Sequence, residues 1–270
     1  MKKIVYLLFG IALLSLASCM GIDNWQEPDC TFYGTVIDSY TGQPLLASQN
    51  DWQIRIWERT WTGHEGGATT QQDLPIKQDG TYQNTKLFAG TYDMLPYDGP
   101  FWPVDTVKKV VLKGSVKQDF TVTPYLQIID FKATLGTYDF GTPSAPKIRP
   151  SITFTCKLKA PKRTGLPNLR YIQAFLSRTT FCGNGQNSRI DIGEYNSGPD
   201  GSRGRIDINR SWAAEMTANG LDPNGDTSKQ YTIGPLPVNS QYTYYVRVGA
   251  STNVGSSRFN YSPIVKVEVP

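Results

Sequence analysis

Leu16-Ala17-Ser18-Cys19 is the stretch of this 270-residue chain whose order and position point most directly to a covalent reaction. Met1-Lys2-Lys3 supplies a positive start, and Ile4 to Leu14 is apolar apart from Tyr6 and Gly10. An apolar run of about ten residues is too short to cross a bilayer as a helix and reads as a secretory signal. An apolar residue, two small ones and a cysteine form the bacterial lipobox pattern. The small side chains let the backbone enter a peptidase groove, and the Cys19 thiol is the nucleophile that takes a diacylglycerol. The expectation is a lipoprotein signal peptide over 1–18 and a lipidated polar tether over 19–30, with Asp23, Glu27 and Asp29 around Pro28. Acyl chains on Cys19 then hold the chain to a membrane. No second long apolar run exists, so nothing else is expected to span one.

A second group of residues suits non-covalent chemistry. Sugars are held by flat rings that cover the apolar faces of pyranoses, with polar groups nearby for the hydroxyls. Trp57, Trp61, Tyr97, Phe101 and Trp102, several of them in or beside expected loops, are candidates for that role. Trp61 stands between Thr60 and Thr62; Phe101 and Trp102 are framed by Pro100 and Pro103, where no regular strand forms. Trp52 and Trp57 fall on opposite faces of one strand, so at least one belongs to the core. The competing reading is that these rings plug a sandwich edge or a domain interface.

Charge points to another surface. From Cys19 to Pro124 there are eight Lys/Arg against thirteen Asp/Glu; from Tyr125 to Pro270 there are seventeen against ten. Lys157, Lys159, Lys162, Arg163 and Arg170 crowd one strand and the loop after it. Such a run is a solvated face or a grip on a sulfated or uronic polysaccharide, which arginine engages in bidentate fashion. Nucleic acid is not an expected partner for an exported chain.

Catalysis has little to draw on. His64 is the single histidine, so neither a histidine pair for a metal nor a Ser/His/Asp relay is expected beyond it. A glycosidase needs two carboxylates at a set separation, which sequence spacing cannot place. Asp222-Pro-Asn224-Gly-Asp226-Thr-Ser228 has the oxygen ligands of a calcium loop but lacks its next glycine and closing glutamate, so it reads as a turn. With Cys19 lipidated, Cys30, Cys156 and Cys182 remain. Cys156 and Cys182 could pair across neighbouring strands, but three buried thiols fit the spacings better. No enzyme activity, cofactor or metal is expected.

The elements that must position these residues are strands. Tyr, Trp and Phe are plentiful, Gly and Pro recur, and long Ala/Leu/Glu/Lys runs are missing, which is all-β composition. Phe32 to Asp38 and Trp52 to Trp57 alternate. Further strands follow at Asp79-Gly80-Thr81-Tyr82 and Ala89 to Leu95. Val107 to Leu112 and Gln118 to Val122 read as a closing hairpin around Lys113-Gly114. Arg59 to Leu74 reads as an inserted loop. In the second half, Ile152 to Cys156, Tyr171 to Leu176, Gly204 to Ile208, Tyr242 to Val248 and Tyr261 to Val269 are the best strands. Ile233 to Asn239 reads as a turn, and Ser211 caps a short helix to Ala218. The expected fold is all-β, two consecutive β-sandwich domains over 31–124 and 125–270 behind the signal peptide.

Gly34-Thr-Val-Ile-Asp38, Thr41-Gly42-Gln-Pro-Leu45, Asp79-Gly80-Thr-Tyr82 and Ala89-Gly90-Thr-Tyr92, in that order, resemble the carboxypeptidase-regulatory or transthyretin-like sandwich, with each glycine placed where a tight turn needs positive φ. Gln241 to Ala250 resembles the late strand of a fibronectin-III or immunoglobulin-like domain. With the lipobox, Gly99-Pro100-Phe101-Trp102-Pro103, Pro124-Tyr125-Leu126 and Tyr244-Tyr245-Val246-Arg247-Val248, the whole mature chain resembles the domain-of-unknown-function family 3823 of Bacteroidetes lipoproteins. That resemblance implies an outer-membrane, lipid-anchored protein at the cell surface. It also implies a place beside a SusC/SusD-like complex and a non-catalytic share in capturing a polysaccharide or oligosaccharide. Two other roles fit the same chain: a structural lipoprotein that docks on that complex without touching sugar, and an adhesin-like module that pairs by strand addition.

Overall fold

Alternation with period two builds the first unit of the computed structural model, which describes residues 27–60, 71–185, 204–254 and 258–270. The signal peptide, Cys19, Trp61 and His64 lie outside the described residues. The strands are β1 (Cys30–Asp38), β2 (Gln53–Glu58), β3 (Gln71–Pro75), β4 (Thr81–Leu87), β5 (Gly90–Tyr97), β6 (Val107–Leu112), β7 (Ser115–Lys117) and β8 (Phe120–Val122). They form two sheets, β4-β1-β7 with β8 also on β1, and β3-β2-β5-β6. Phe32, Val36, Trp52, Ile54, Ile56, Tyr82, Tyr92 and Met94 fill the space between them.

Three expectations for this half change. Lys113-Gly114 does not close a hairpin: β6 pairs antiparallel with β5, whereas β7 and β8 cross to the other sheet and pair parallel with β1. Parallel pairing with a distant strand leaves no local sequence signal, so two apolar runs around a Lys-Gly turn looked like neighbours. The insert from Arg59 to Leu74 ends in strand rather than loop, since β3 pairs with β2 and buries Leu74. Gly42 and Gly80 do take positive φ, but Gly34 and Gly90 do not: Gly90 opens β5, and Gly34 sits inside β1 for a different reason. A Cβ there would lie 1.8 Å from the Gln118 carbonyl oxygen.

The second unit contains β9 (Gln127–Asp139), β10 (Ile148–Lys159), β11 (Leu169–Ser177), β12 (Arg205–Arg210), helix α1 (Trp212–Ala218), β13 (Thr227–Pro237), β14 (Tyr242–Thr252), β15 (Phe259–Tyr261) and β16 (Val265–Val269). Its sheets are β13-β10-β9 and β12-β11-β14-β15, with β16 also on β14. Ser211 caps α1 as expected, its hydroxyl accepting from the Ala214 amide at 3.3 Å. The segment read as a turn over Ile233 to Asn239 is largely β13, paired with β10. The last expected strand, Tyr261 to Val269, is broken into β15 and β16 at Ser262-Pro263. There the Ser262 hydroxyl accepts from the Val248 amide at 3.1 Å, and proline has no amide to continue a ladder. All three described cysteines are free and buried. Cys156 sits in the second core and Cys182 in a separate cluster, and burial pushes both thiols up to about 12. Among the described residues no helix is long and apolar enough to cross a membrane.

The two sandwiches meet through polar contacts around a small apolar cluster of Phe175, Cys182, Phe259 and Tyr261, against which Leu46 packs. Arg247 on β14 reaches back to the Ala47 carbonyl at 2.7 Å, and Asn260 donates to the Pro100 carbonyl at 3.0 Å. Arg258 bonds Asp98 at 2.8 Å and lies 3.5 Å from Asp51. Burial raises the Asp51 carboxyl from 3.8 to about 6 against the pull of Arg258 and Arg247. Its buried Oδ2 has no hydrogen-bond partner and can accept a proton without losing one. The folded protein therefore holds this proton more tightly than the unfolded chain does. The stability so gained is complete below the unfolded value of 3.8 and is lost as the pH rises through about 6. Asp51→Asn cannot titrate, so its stability should change less than the wild type's between about pH 4 and 7, by on the order of 3 kcal/mol. Denaturant melts across that range measure this; superimposable profiles would mean that Asp51 is not desolvated.

Candidate functional site

The outward face of the β3-β2-β5-β6 sheet combines aromatic and polar groups in the way sugar recognition requires. Along β2, Ile54 and Ile56 point into the core, so Gln53, Arg55 and Trp57 point out. On β5, Tyr92, Met94 and Pro96 are buried, which turns Leu95 and Tyr97 outward. The register places Tyr97 opposite Gln53, Leu95 opposite Arg55 and Asp93 opposite Trp57. On the other flank Asp73 stands opposite Arg55 and Gln71 opposite Trp57. Trp57 and Tyr97 thus mark two ends of one strip, four strand residues or about 13 Å apart.

Arg55 organises the middle of the strip. Its Nε and Nη2 donate to the two Asp73 oxygens at 2.8 and 2.9 Å, a bidentate fork. The Gln71 amide, with its oxygen toward Arg55, accepts from the same nitrogens at 3.0 Å. The guanidinium also stacks 3.5 Å from the Tyr97 ring centroid. Its hydrogen bonds to Asp73 raise its own pKa and hold the Asp73 carboxyl below the usual carboxylate range. At the Trp57 end, Arg59 Nε and Nη2 bond Asp93 Oδ2 at 2.8 and 2.7 Å, while Asp93 Oδ1 accepts from the Lys109 amide at 2.9 Å. Tyr97 is 41% exposed and Trp57 half-buried, so both rings reach solvent.

The other aromatic candidates do different work. Phe101 is 5% exposed and packs edge-on against Trp52, with centroids 5.2 Å apart, so it is a core residue and offers no open face. Trp102 is half-buried at the junction, edge-on to Tyr125 at 5.4 Å. The Lys162 ammonium lies 4.3 Å over its ring, and the ring packs against the second core. It pins one sandwich to the other, which is the interface role weighed against the platform role for these rings. Trp52 is fully buried, as the opposite-face argument requires of one member of its pair. Trp61 and His64 fall in 61–70, outside the described residues.

The basic run is largely partnered. Lys157 pairs with Asp130 at 2.9 Å, Lys159 with Asp226 at 3.7 Å, Lys162 covers Trp102, and Arg170 stacks 5.1 Å from the Tyr171 centroid. Arg163 lines an open cleft of about 360 Å³ with Thr164, Ser211, Trp212 and Asn224. A second cleft, of about 380 Å³, lies between Pro96, Pro103, Val107 and Phe120. Neither includes Trp57 or Tyr97. Asp222 Oδ1 accepts from the Asn224 amide at 2.9 Å and its carbonyl from the Gly225 amide at 2.8 Å, which is turn geometry. Among the described residues no group of His, Cys, Asp or Glu is placed to hold a metal. Sequence reading passed over Arg55, Asp73 and Gln71. The signal that could have found Arg55 was the same alternation that put Trp57 outside.

Residues 30–123 match the family model described as the N-terminal domain of a protein of unknown function (DUF3823), and residues 141–266 match its C-terminal counterpart, a domain of unknown function. Among solved structures, a putative carbohydrate binding protein from Bacteroides uniformis is similar at 26% identity with a TM-score of 0.63, over 90% of this chain and 100% of that one. A DUF3823 family protein from the same organism is similar at 22% identity and a TM-score of 0.61, again over 90% and 100%. Another, from Parabacteroides merdae, is similar at 18% and 0.56 with the same coverage. The latter two likenesses bear on the fold alone. Comparison with curated proteins gives no match.

Proposed function

The chain belongs to the DUF3823 family, and on that premise we propose that it is a non-catalytic, lipid-anchored outer-membrane protein of the cell surface that binds a glycan during polysaccharide capture. The observation that carries this reading is the strip on which Trp57 and Tyr97 flank Arg55, Asp73, Gln71 and Gln53. Rings at both ends supply apolar faces, and the groups between them supply donors and acceptors. The description of the Bacteroides uniformis structure as a putative carbohydrate binding protein points the same way. Asp73 supports the non-catalytic part: held below the usual carboxylate range, it is a poor general acid. Anchoring rests on Cys19 and its lipobox. The SusC/SusD-like complex is the partner that would pass a captured glycan inward.

The test is an affinity-gel screen of the chain from Met20 onward against a panel of polysaccharides. Retardation by at least one member supports the reading; none, with the protein shown folded, removes it. Labelled palmitate should enter the full-length protein and not Cys19→Ala.

One feature favours the docking role. The β9–β10 hairpin carries Tyr138, 44% exposed, and Ile148, 71% exposed, at its far end. Exposed apolar groups there suit a protein surface better than a sugar.

A further inference from the structure

We propose that the glycan held by the Trp57–Tyr97 strip is neutral, a claim that rests on the glycan-binding reading above. Arg55 within the strip and Arg59 beside its Trp57 end are already committed. Arg55 gives both nitrogens of its fork to Asp73 at 2.8 and 2.9 Å, and Gln71 faces the same nitrogens at 3.0 Å. Arg59 gives Nε and Nη2 to Asp93 at 2.8 and 2.7 Å. A guanidinium has five N–H donors, of which Asp73 takes two on Arg55 and Asp93 Oδ2 takes two on Arg59, so a uronate or sulfate reaching the remainder would lie beside a carboxylate already seated on the same group. Each ion pair carries no net charge to attract an anion, and its carboxylate repels one that approaches.

Neutral hydroxyls face no such exchange. Each Asp73 oxygen keeps a lone pair beyond the one that accepts from Arg55, so Asp73 can receive a sugar O–H while its ion pair stays intact. Gln53 offers an amide at the Tyr97 end, where it stands opposite that residue in register. The separation of the rings, about 13 Å along the strands, exceeds one pyranose, so an oligosaccharide segment rather than a single sugar bridges both. On the basic strand of the second sandwich Lys157 and Lys159 are likewise paired, with Asp130 and Asp226.

Affinity gels would carry one neutral series (laminarin, mannan, xyloglucan, pullulan) and one acidic series (polygalacturonate, chondroitin sulfate), each at low and high salt. The expected result is retardation by a neutral polymer, little changed by salt and lost in Trp57→Ala. Retardation by acidic polymers alone, abolished by salt, would overturn the neutral assignment and leave the glycan-binding reading standing. Absence of retardation on every gel would overturn both. Asp73→Asn adds an independent arm, since it frees the Arg55 fork at a partly exposed position without altering side-chain size. This variant should gain affinity for polygalacturonate by about tenfold or more over the wild type. A folded Asp73→Asn protein with no such gain would mean that the Arg55–Asp73 pair does not set the charge preference, and the inference would fall.

Discussion

Arg247→Ala should cost about 3–5 kcal/mol of stability, the loss expected when one member of a buried charged network is removed. Arg247 is 1% exposed in the middle of β14. Its Nη2 donates to the Ala47 carbonyl across the junction at 2.7 Å, and its guanidinium lies 3.8 Å from the Tyr261 ring centroid. Asp51 is close enough to feel its charge. Truncation to alanine leaves the Ala47 carbonyl unpaired, removes one of the two cations beside Asp51 and opens a cavity between the sandwiches. A thermal midpoint lower by roughly 6–20 °C follows for a chain of this size. Arg247→Met, which keeps most of the volume, should recover part of the loss. Arg205→Ala, an exposed pair with Asp207 at 3.1 Å, should change stability by under about 0.5 kcal/mol. Differential scanning calorimetry decides the matter: an Arg247→Ala loss below about 1 kcal/mol would mean the junction contributes little to the folded state.

Trp57→Ala should weaken glycan binding by about tenfold or more while leaving the fold intact, because truncating an aromatic anchor commonly costs 2 kcal/mol or more at a binding surface. Its neighbours on β2 make the contrast testable. Ile54 and Ile56 point inward and are fully buried, so their truncation would unfold the sandwich, and any loss of binding would say nothing about the strip. Tyr97→Ala should weaken binding less, since part of that ring is covered by Arg55 at 3.5 Å. Tyr138→Ala, an equally exposed aromatic on β9, is the matched control and should have no effect. Calorimetric titration with the polymer found by gel screening measures all three. Equal affinities for Trp57→Ala and wild type would place the site elsewhere, and Tyr138 losing binding would move attention to the β9–β10 hairpin.

Residue pattern alone determined the class of fold and the order of most strands. Phe32 to Asp38 and Trp52 to Trp57 declare themselves because strand periodicity is local: each side chain faces one way or the other within a few residues. The Ser211 cap was legible for the same reason, as its acceptor and the Ala214 donor are three residues apart. The crossing of β7 and β8 to β1 was not legible, since nothing near Gly114 records a partner some eighty residues earlier. Nor could sequence sort the aromatic rings. Phe101 and Trp102 are adjacent and framed by the same prolines, yet one lies in the first core and the other bridges to the second unit. Trp57 becomes half of a strip only when β5 brings Tyr97, and β3 brings Asp73 and Gln71, into register with β2. Whether a ring serves as core, pin or platform depends on what covers its two faces, and those neighbours come from strands far apart in the chain. Charge follows the same rule. Arg55 and Asp73 are eighteen residues apart in sequence and 2.8 Å apart in space, and that distance turns two ions into one neutral pair.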